Sequence, residues 1–129
     1  MEGSEFARIR HYLGKSQGQI ARLLCISPKT VQSFEQGLRH IPSYIERQMQ
    51  FFISLKMISH HESIQPCWEL TDCPSEWRAN CFAWEIKAKN FCWLINGTFC
   101  KGRAQENWTE KSKLCHECKV YKLMVPEVN

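Results

Sequence analysis

The chain has 129 residues, a mild net charge of +4 and eight cysteines, which suits one ordinary domain or two small ones. A charge of this size permits contact with nucleic acid without requiring it, and no apolar run is long enough to span a bilayer. The N-terminal segment lacks the apolar core and cleavage site of a secretory signal, so we expect a cytoplasmic protein with reduced cysteines.

The cysteines are distributed unevenly, which predicts two domains. Only Cys25 lies in the first half, and the other seven lie between Cys67 and Cys118. Each half is close to the lower size limit for a self-sufficient hydrophobic core, roughly 60 residues. We therefore expect the cysteine-rich second half to need stabilisation beyond its core, such as a metal centre. We predict a helical domain at 1–58, a linker at 59–65, a cysteine-rich domain at 66–122 and a tail at 123–129.

The first predicted helix lies near the N-terminus. Phe6, Ile9 and Leu13 recur at helical spacing. Ser4 can cap this helix, and Gly14 can end it.

The second predicted helix begins at a capping box formed by Ser16 and Gln19. Cys25 then occupies a tight turn, where we expect a left-handed backbone with modest strain and a buried small side chain. The residues predicted to form the buried side of this helix are Ile20, Ala21, Leu23 and Leu24.

The third predicted helix is capped by Ser27 and has Pro28 at its first position, where a missing N–H costs nothing. Val31 and Phe34 are predicted to face inward. Gly37 ends the helix at a position that often requires a positive φ.

A longer fourth helix is predicted to start at a second capping box, Ser43 with Glu46. Its apolar stripe is predicted to contain Ile45, Met49, Phe52 and Ile53.

The segment SQGQIARLLCISPKTVQSFEQG, residues 16–37, resembles the helix-turn-helix of Cro/repressor-type regulators over its whole length. Cys25 stands where that family usually has glycine. The matching positions are Gln17, Ile20-Ala21, Leu24, Ile26-Ser27, Thr30-Val31, Phe34-Glu35 and Gly37. The resemblance implies a mainly α protein whose first domain is a four- to five-helix DNA-binding bundle, with double-stranded DNA as its partner and a homodimer as its working form.

The resemblance also implies which side chains meet DNA. The N-terminal part of the third helix would enter the major groove, where the carboxamide of Gln32 can pair with adenine. Lys29 can reach guanine or phosphate, and Gln17 corresponds to a phosphate-binding position. The predicted DNA-binding residues are Gln17, Ser27, Lys29, Thr30, Gln32, Ser33 and Arg39.

The second half resembles the cysteine-rich "two-CW" domains of bacteria over residues 66–121. The residues that carry the likeness are Cys67-Trp68-Glu69, Cys73-Pro74, Cys81-Phe82-Ala83, Cys92-Trp93, Gly97-Thr98-Phe99-Cys100 and Cys115-x-x-Cys118. Asn96-Gly97 lies between two short apolar runs and predicts a hairpin, so we expect a mostly irregular α+β domain with two imperfect Cys-Trp repeats. We expect its tryptophans to form its core and its scattered lysines, Lys111 among them, to lie on a solvated surface.

The cysteines favour metal chemistry, because thiolates suit iron–sulfur clusters and zinc alike. Zinc sites usually show two close cysteine pairs, and this chain has one, Cys115-x-x-Cys118. We therefore favour an iron–sulfur cluster over structural zinc, with disulfides or free thiols as the remaining alternative. The candidate metal ligands are Cys67, Cys73, Cys115 and Cys118 first, and then Cys81, Cys92 and Cys100. We expect His116 to be an exposed histidine rather than a ligand.

The sequence contains no Gly-rich phosphate loop, metalloprotease motif or nucleophile–base pair, so we expect neither an enzyme nor a small-molecule substrate. The hypothesis is a DNA-binding regulator whose metal centre senses redox state or metal supply. The alternative is a protein-interaction adaptor whose second domain is stabilised by structural zinc.

Overall fold

The computed structural model describes residues 1–59, 65–95 and 98–128; within them the chain is mainly helical and has no β-strand. It divides into two compact units, one formed by residues 1–56 with 127–128 and the other by residues 57–126. None of the helices in the described ranges combines the length and apolar character needed to cross a membrane. Most of the predicted linker, residues 60–64, lies outside the described residues.

The first unit is built from four helices around one apolar core. Phe6 and Phe34 meet edge to face in that core, with their ring centroids 5.8 Å apart. The other buried apolar residues are Ile9, Ile20, Ala21, Leu24, Val31, Ile41, Ile45, Met49 and Ile53. The helices are α1 (Gly3–Tyr12), α2 (Gln17–Leu24), α3 (Pro28–Glu35) and α4 (Ser43–Ile58).

The caps of α2 and α3 are those predicted from the sequence. The Ser16 hydroxyl accepts the Gln19 backbone N–H at 3.1 Å, and the Gln19 carboxamide oxygen accepts the Ser16 N–H at 2.9 Å. The Ser27 hydroxyl accepts the Thr30 N–H at 3.1 Å, and Pro28 is the first helical residue. These caps satisfy backbone N–H groups that a helix start otherwise leaves unpaired.

The starts of α1 and α4 differ from the prediction. Helix α1 begins at Gly3, so Ser4 lies inside it and does not cap it. A side chain at Gly3 would meet the Phe34 carbonyl oxygen, so the lack of a Cβ allows α1 to begin close to the end of α3. Ser43 is the first residue of α4, one position later in the helix than a cap.

The turn between α2 and α3 has the predicted backbone but not the predicted burial. Cys25 adopts φ 55° and ψ 42°, the left-handed conformation expected there. Its side chain is exposed, so the prediction of a buried Cys25 is wrong. Leu23 is 50% exposed, because only Ile20, Ala21 and Leu24 face the core from this short helix.

Replacing Cys25 should change stability through the backbone alone. We expect Cys25→Gly to raise the free energy of unfolding by about 0.5 kcal/mol, because glycine adopts this conformation without the cost that a Cβ brings. Cys25→Val should lower it by about 1 kcal/mol, because a β-branched side chain tolerates positive φ poorly. Urea unfolding of both variants, followed by helical circular dichroism, tests this prediction. A valine variant as stable as the glycine variant would contradict it.

The second unit consists of short helices around a small core. Trp93 is fully buried, and its ring meets that of Tyr121 edge to face at 5.9 Å. The other buried apolar residues are Ala83, Cys92, Cys115, Val120 and Met124. The α-helices are α5 (Cys67–Leu70), α6 (Ser75–Arg78), α7 (Phe82–Glu85), α8 (Trp108–His116) and α9 (Lys119–Met124), and 3₁₀ helices span Lys89–Leu94 and Cys100–Gly102. Helix α9 ends two residues beyond the predicted domain boundary.

The structure corrects the predicted hairpin. Trp93 and Leu94 belong to a 3₁₀ helix, in which the Trp93 indole N–H donates to the Asn90 carbonyl at 2.9 Å. The strand predicted there is therefore wrong, and the turn at 96–97 lies outside the described residues. The two Cys-Trp dipeptides also differ in structure, since Cys67 begins an α-helix.

The tryptophans form the core only in part. Trp93 is fully buried, whereas the other four, at positions 68, 77, 84 and 108, are partly exposed. Trp68 and Trp84 pack edge to face at 4.8 Å, and the Lys87 ammonium lies 3.4 Å from the Trp84 ring centroid. This second aromatic cluster therefore combines ring packing with a cation–π contact at the surface.

Candidate functional site

All seven cysteines of the second unit line one cavity of about 300 Å³. They are Cys67, Cys73, Cys81, Cys92, Cys100, Cys115 and Cys118. Cys25, in the first unit, does not contribute to it. Residues spread over more than fifty positions of the chain are thus brought to one place, which the spacing in the sequence does not reveal.

The helix ends of the second unit position most of these thiols. Cys67 is the first residue of α5, Cys81 directly precedes α7, and Cys118 is the cap of α9. Cys115 lies in the last turn of α8, and its carbonyl accepts the Cys118 N–H at 2.9 Å. The Cys-x-x-Cys segment is therefore a tight connection between two helices, and it presents both thiols to the cavity.

The thiols influence one another electrostatically. Burial, together with the neighbouring Cys92 and Cys100, raises the pKa of Cys115 to about 12. A hydrogen bond with Cys67, together with burial, raises the pKa of Cys92 well above its usual value. Without a metal the thiols of Cys92 and Cys115 are protonated at neutral pH, so a metal ion bound to them would displace their protons.

The donor set fits a metal that prefers sulfur, but the thiols are not arranged around one point. Within residues 1–59, 65–95 and 98–128, no three His, Cys, Asp or Glu side chains are positioned to hold a metal ion. A zinc ion bound at about 2.3 Å from each sulfur would draw its four ligands to within about 4 Å of one another. Binding of a single zinc ion would therefore require four of the thiols to move closer together.

The cavity lining also contains a buried charged residue, which was not predicted from the sequence. Lys111, expected on a solvated surface, is 3% exposed and lines the cavity. Its charge lowers the pKa values of Cys92, Cys100 and Cys115 against the effect of burial. The sequence carried a signal for this position, since Lys111 lies four residues before Cys115 on one helix and so shares a face with it.

His116 lies outside the cavity lining, as expected. It is exposed, and its Nδ1 is 2.6 Å from the Ser112 carbonyl oxygen, to which it donates. Its ring also contacts Tyr121.

The predicted DNA-binding residues lie around the turn between α2 and α3. Lys29, Gln32 and Arg39 are exposed on or just after α3. Ser27 is exposed and shares a hydrogen bond of 2.8 Å with the Thr30 hydroxyl, which also accepts an Arg39 N–H at 3.4 Å. Ser33 is partly exposed.

Gln17 has a partner that the sequence did not predict. Its carboxamide N–H donates to Glu35 at 2.8 Å, and Arg10 donates to the same carboxylate at 2.5 and 3.3 Å. Burial alone would raise the pKa of Glu35, but the hydrogen bonds from Arg10 and Gln17 hold it below its usual value. One of the two amide hydrogens of Gln17 is therefore used inside the protein.

Comparisons with models of protein families, with curated proteins and with solved structures give no match to this sequence.

Proposed function

We propose that this chain is a sequence-specific DNA-binding regulator of transcription whose second unit binds a thiolate-ligated metal centre. The observation that carries the proposal is the geometry of α2, the turn at Cys25 and α3. Val31 and Phe34 anchor α3 from behind, and the N-terminal half of α3 has an exposed polar face. This is the arrangement with which a helix-turn-helix enters the major groove.

The charges near this face suit DNA. Lys29 and Arg39 are exposed there, and Glu35, at the end of α3, is paired with Arg10. Basic side chains would contact phosphates, and Gln32 would read a base edge. A cytoplasmic homodimer would place two such helices on half-sites about one turn of DNA apart.

The second unit supports a metal-dependent signal. Its seven thiols share one cavity, and its core is small. An iron–sulfur cluster is the favoured occupant, and structural zinc is the alternative. Because metal binding contributes to the folding free energy of such a unit, loss of the centre would loosen it and alter DNA binding.

Gln32→Ala should reduce discrimination between DNA sequences without unfolding the protein. Sites are first selected with the unmodified protein from a random-sequence duplex library, and affinities for selected and scrambled duplexes are then compared. We expect the ratio of the two affinities to fall about 5- to 100-fold, the value of one bidentate base contact. Gln48→Ala, an exposed glutamine on α4, should leave the ratio unchanged.

Two results would refute this assignment. One is a Gln32→Ala variant that keeps the full affinity ratio. The other is a failure of the unmodified protein to enrich any sequence from the library.

The metal proposal is tested by anaerobic purification followed by an absorption spectrum and analysis of iron, sulfide and zinc. A brown protein with equal amounts of iron and sulfide supports the cluster. A colourless protein with zinc supports structural zinc. A protein without metal contradicts both the cluster and the structural zinc.

Exposed apolar side chains favour a second candidate, a protein-interaction adaptor. Leu38, which follows α3, is 76% exposed, and Tyr44, in the first turn of α4, is 61% exposed. Salt dependence separates the two functions, because a DNA complex weakens steeply as salt is added and phosphate counterions are released. A contact through Leu38 and Tyr44 would weaken little.

A further inference from the structure

We infer that the buried ammonium group of Lys111 is the counter-cation of an anionic centre, one ligated by thiolates alone. The inference rests on the proposed metal function and specifies the charge and ligand class of the centre. Three observations carry it: the burial of Lys111, its lack of a carboxylate partner among the described residues, and its place in the lining of the seven-cysteine cavity.

Lys111 lies in α8, with only 3% of its surface exposed. Its Nζ donates to the Thr98 hydroxyl at 2.7 Å, and that hydroxyl donates onward to the Gln105 carboxamide oxygen at 2.8 Å. Across the described ranges Lys111 forms no ion pair with a carboxylate. A hydroxyl orients the ammonium group but does not neutralise it.

A buried ammonium group without a counter-charge is unfavourable, because it loses its hydration and gains no compensating anion. The anions that can compensate it are in the cavity lining. The side chain of Glu117 reaches that lining but is exposed, and the exposed Lys101 and Lys119 add positive charge at the same cavity. Apart from its sulfurs, the lining therefore carries a net positive charge. Thiolates are the anions in this cavity that can compensate Lys111.

Charge counting then identifies the class of centre. A zinc ion with four thiolates is a dianion, and so is an oxidised four-iron cluster with four thiolates. A zinc ion with two thiolates and two imidazoles is neutral and would leave Lys111 uncompensated. The cavity lining contains seven cysteines and no histidine among the described residues, which agrees with an all-thiolate centre.

The test measures metal affinity in the full-length protein by competition with a chromophoric chelator, using Co²⁺ and Zn²⁺ as probes. We expect Lys111→Met to weaken binding about 10- to 100-fold, as the loss of an outer-shell partner does in other metal sites. Lys111→Arg keeps the charge and should bind within about threefold of the unmodified protein. Lys113→Met, an exposed lysine on the same helix, is the matched control and should bind normally.

A second variant separates charge from hydrogen bonding. Thr98→Val removes the hydroxyl that orients the ammonium group but leaves its charge, so it should bind metal within about threefold of the unmodified protein. The Co²⁺ absorption that arises from thiolate ligands should have the intensity of four thiolates in every variant that binds. In a protein reconstituted with iron and sulfide, Lys111→Met should lower the reduction potential, because the loss of a cation disfavours adding an electron.

Each other outcome overturns the inference. If Lys111→Met binds as tightly as the unmodified protein, or if Thr98→Val weakens binding as much as Lys111→Met, Lys111 is not a counter-cation. A spectrum with two thiolates would contradict the all-thiolate ligand set. If the unmodified protein binds no metal under reducing conditions, the metal part of the proposed function fails together with the inference. The three results named before this one overturn only the inference and leave the proposed metal binding intact.

Discussion

Removing the proposed metal centre with an excess of chelator is expected to unfold the second unit and leave the first unit folded. A core of this size supplies about 3–5 kcal/mol, whereas a structural metal in a small domain contributes about 10–16 kcal/mol of apparent free energy. The fully buried apolar side chains of the second unit are few, and Trp93 is the largest of them. The metal is therefore expected to decide whether this unit is folded.

The measurement uses a natural reporter. All five tryptophans belong to the second unit, at positions 68, 77, 84, 93 and 108, so tryptophan fluorescence reports that unit alone. We expect the emission maximum to shift to longer wavelength on metal removal, while the helical signal of the first unit remains. Unchanged emission from a protein shown to be metal-free would contradict the prediction.

Cysteine variants give the matched control. The double variant Cys115→Ser/Cys118→Ser removes the Cys-x-x-Cys pair and should bind metal about tenfold or more weakly. Cys25→Ser changes the one cysteine outside the cavity and should retain both metal and tryptophan emission. Equal losses in the two proteins would indicate a general effect of cysteine loss rather than a site.

Glu35→Gln is expected to lower the free energy of unfolding of the first unit by about 3 kcal/mol at neutral pH. The side chains of Glu35 and Arg10 are 12% and 11% exposed, so the variant leaves Arg10 buried without its counter-charge. Glu5→Gln, an exposed carboxylate on α1, should change stability by less than about 0.5 kcal/mol. Urea unfolding of the metal-loaded proteins, followed by helical circular dichroism, measures both.

The same ion pair predicts a pH dependence. The pKa of Glu35 is lower in the folded protein than its ordinary value of 4.5. The stabilisation of the folded state by ionised Glu35 is therefore complete above about pH 4.5. It declines as the pH falls through the lower pKa that Glu35 has in the folded protein. We expect the stability difference between the unmodified protein and Glu35→Gln to shrink in this acidic range. A difference that stays constant down to pH 2 would show that Glu35 acts through packing rather than charge.

If the protein binds DNA as proposed, the ion pair also connects stability to DNA binding. Arg10 belongs to α1, Gln17 to α2 and Glu35 to α3, so this one carboxylate joins all three helices. A helix that enters the major groove needs a defined orientation. We therefore expect Glu35→Gln to weaken specific DNA binding as well, even under conditions where the variant remains folded.

The local features of the first unit could be predicted from the amino-acid sequence. The capping box at Ser16, the cap at Ser27, Pro28 at the first position of α3 and the left-handed turn at Cys25 all depend on contacts within about four residues. Local hydrogen bonds and backbone sterics depend on neighbouring residue types, which a sequence displays directly. The predicted inward residues Val31 and Phe34 are also buried, because helical periodicity determines which side chains share a face.

The main features of the second unit depend on its tertiary structure and could not be predicted from the sequence. The tertiary structure brought seven dispersed cysteines to one cavity, buried Lys111 among them, and turned a predicted strand at Trp93 into a 3₁₀ helix. It also exposed Leu23 and joined Gln17 to Glu35. These features arise from contacts between residues far apart in the chain, and in a unit of very short helices little periodicity is available to predict which side chains will meet.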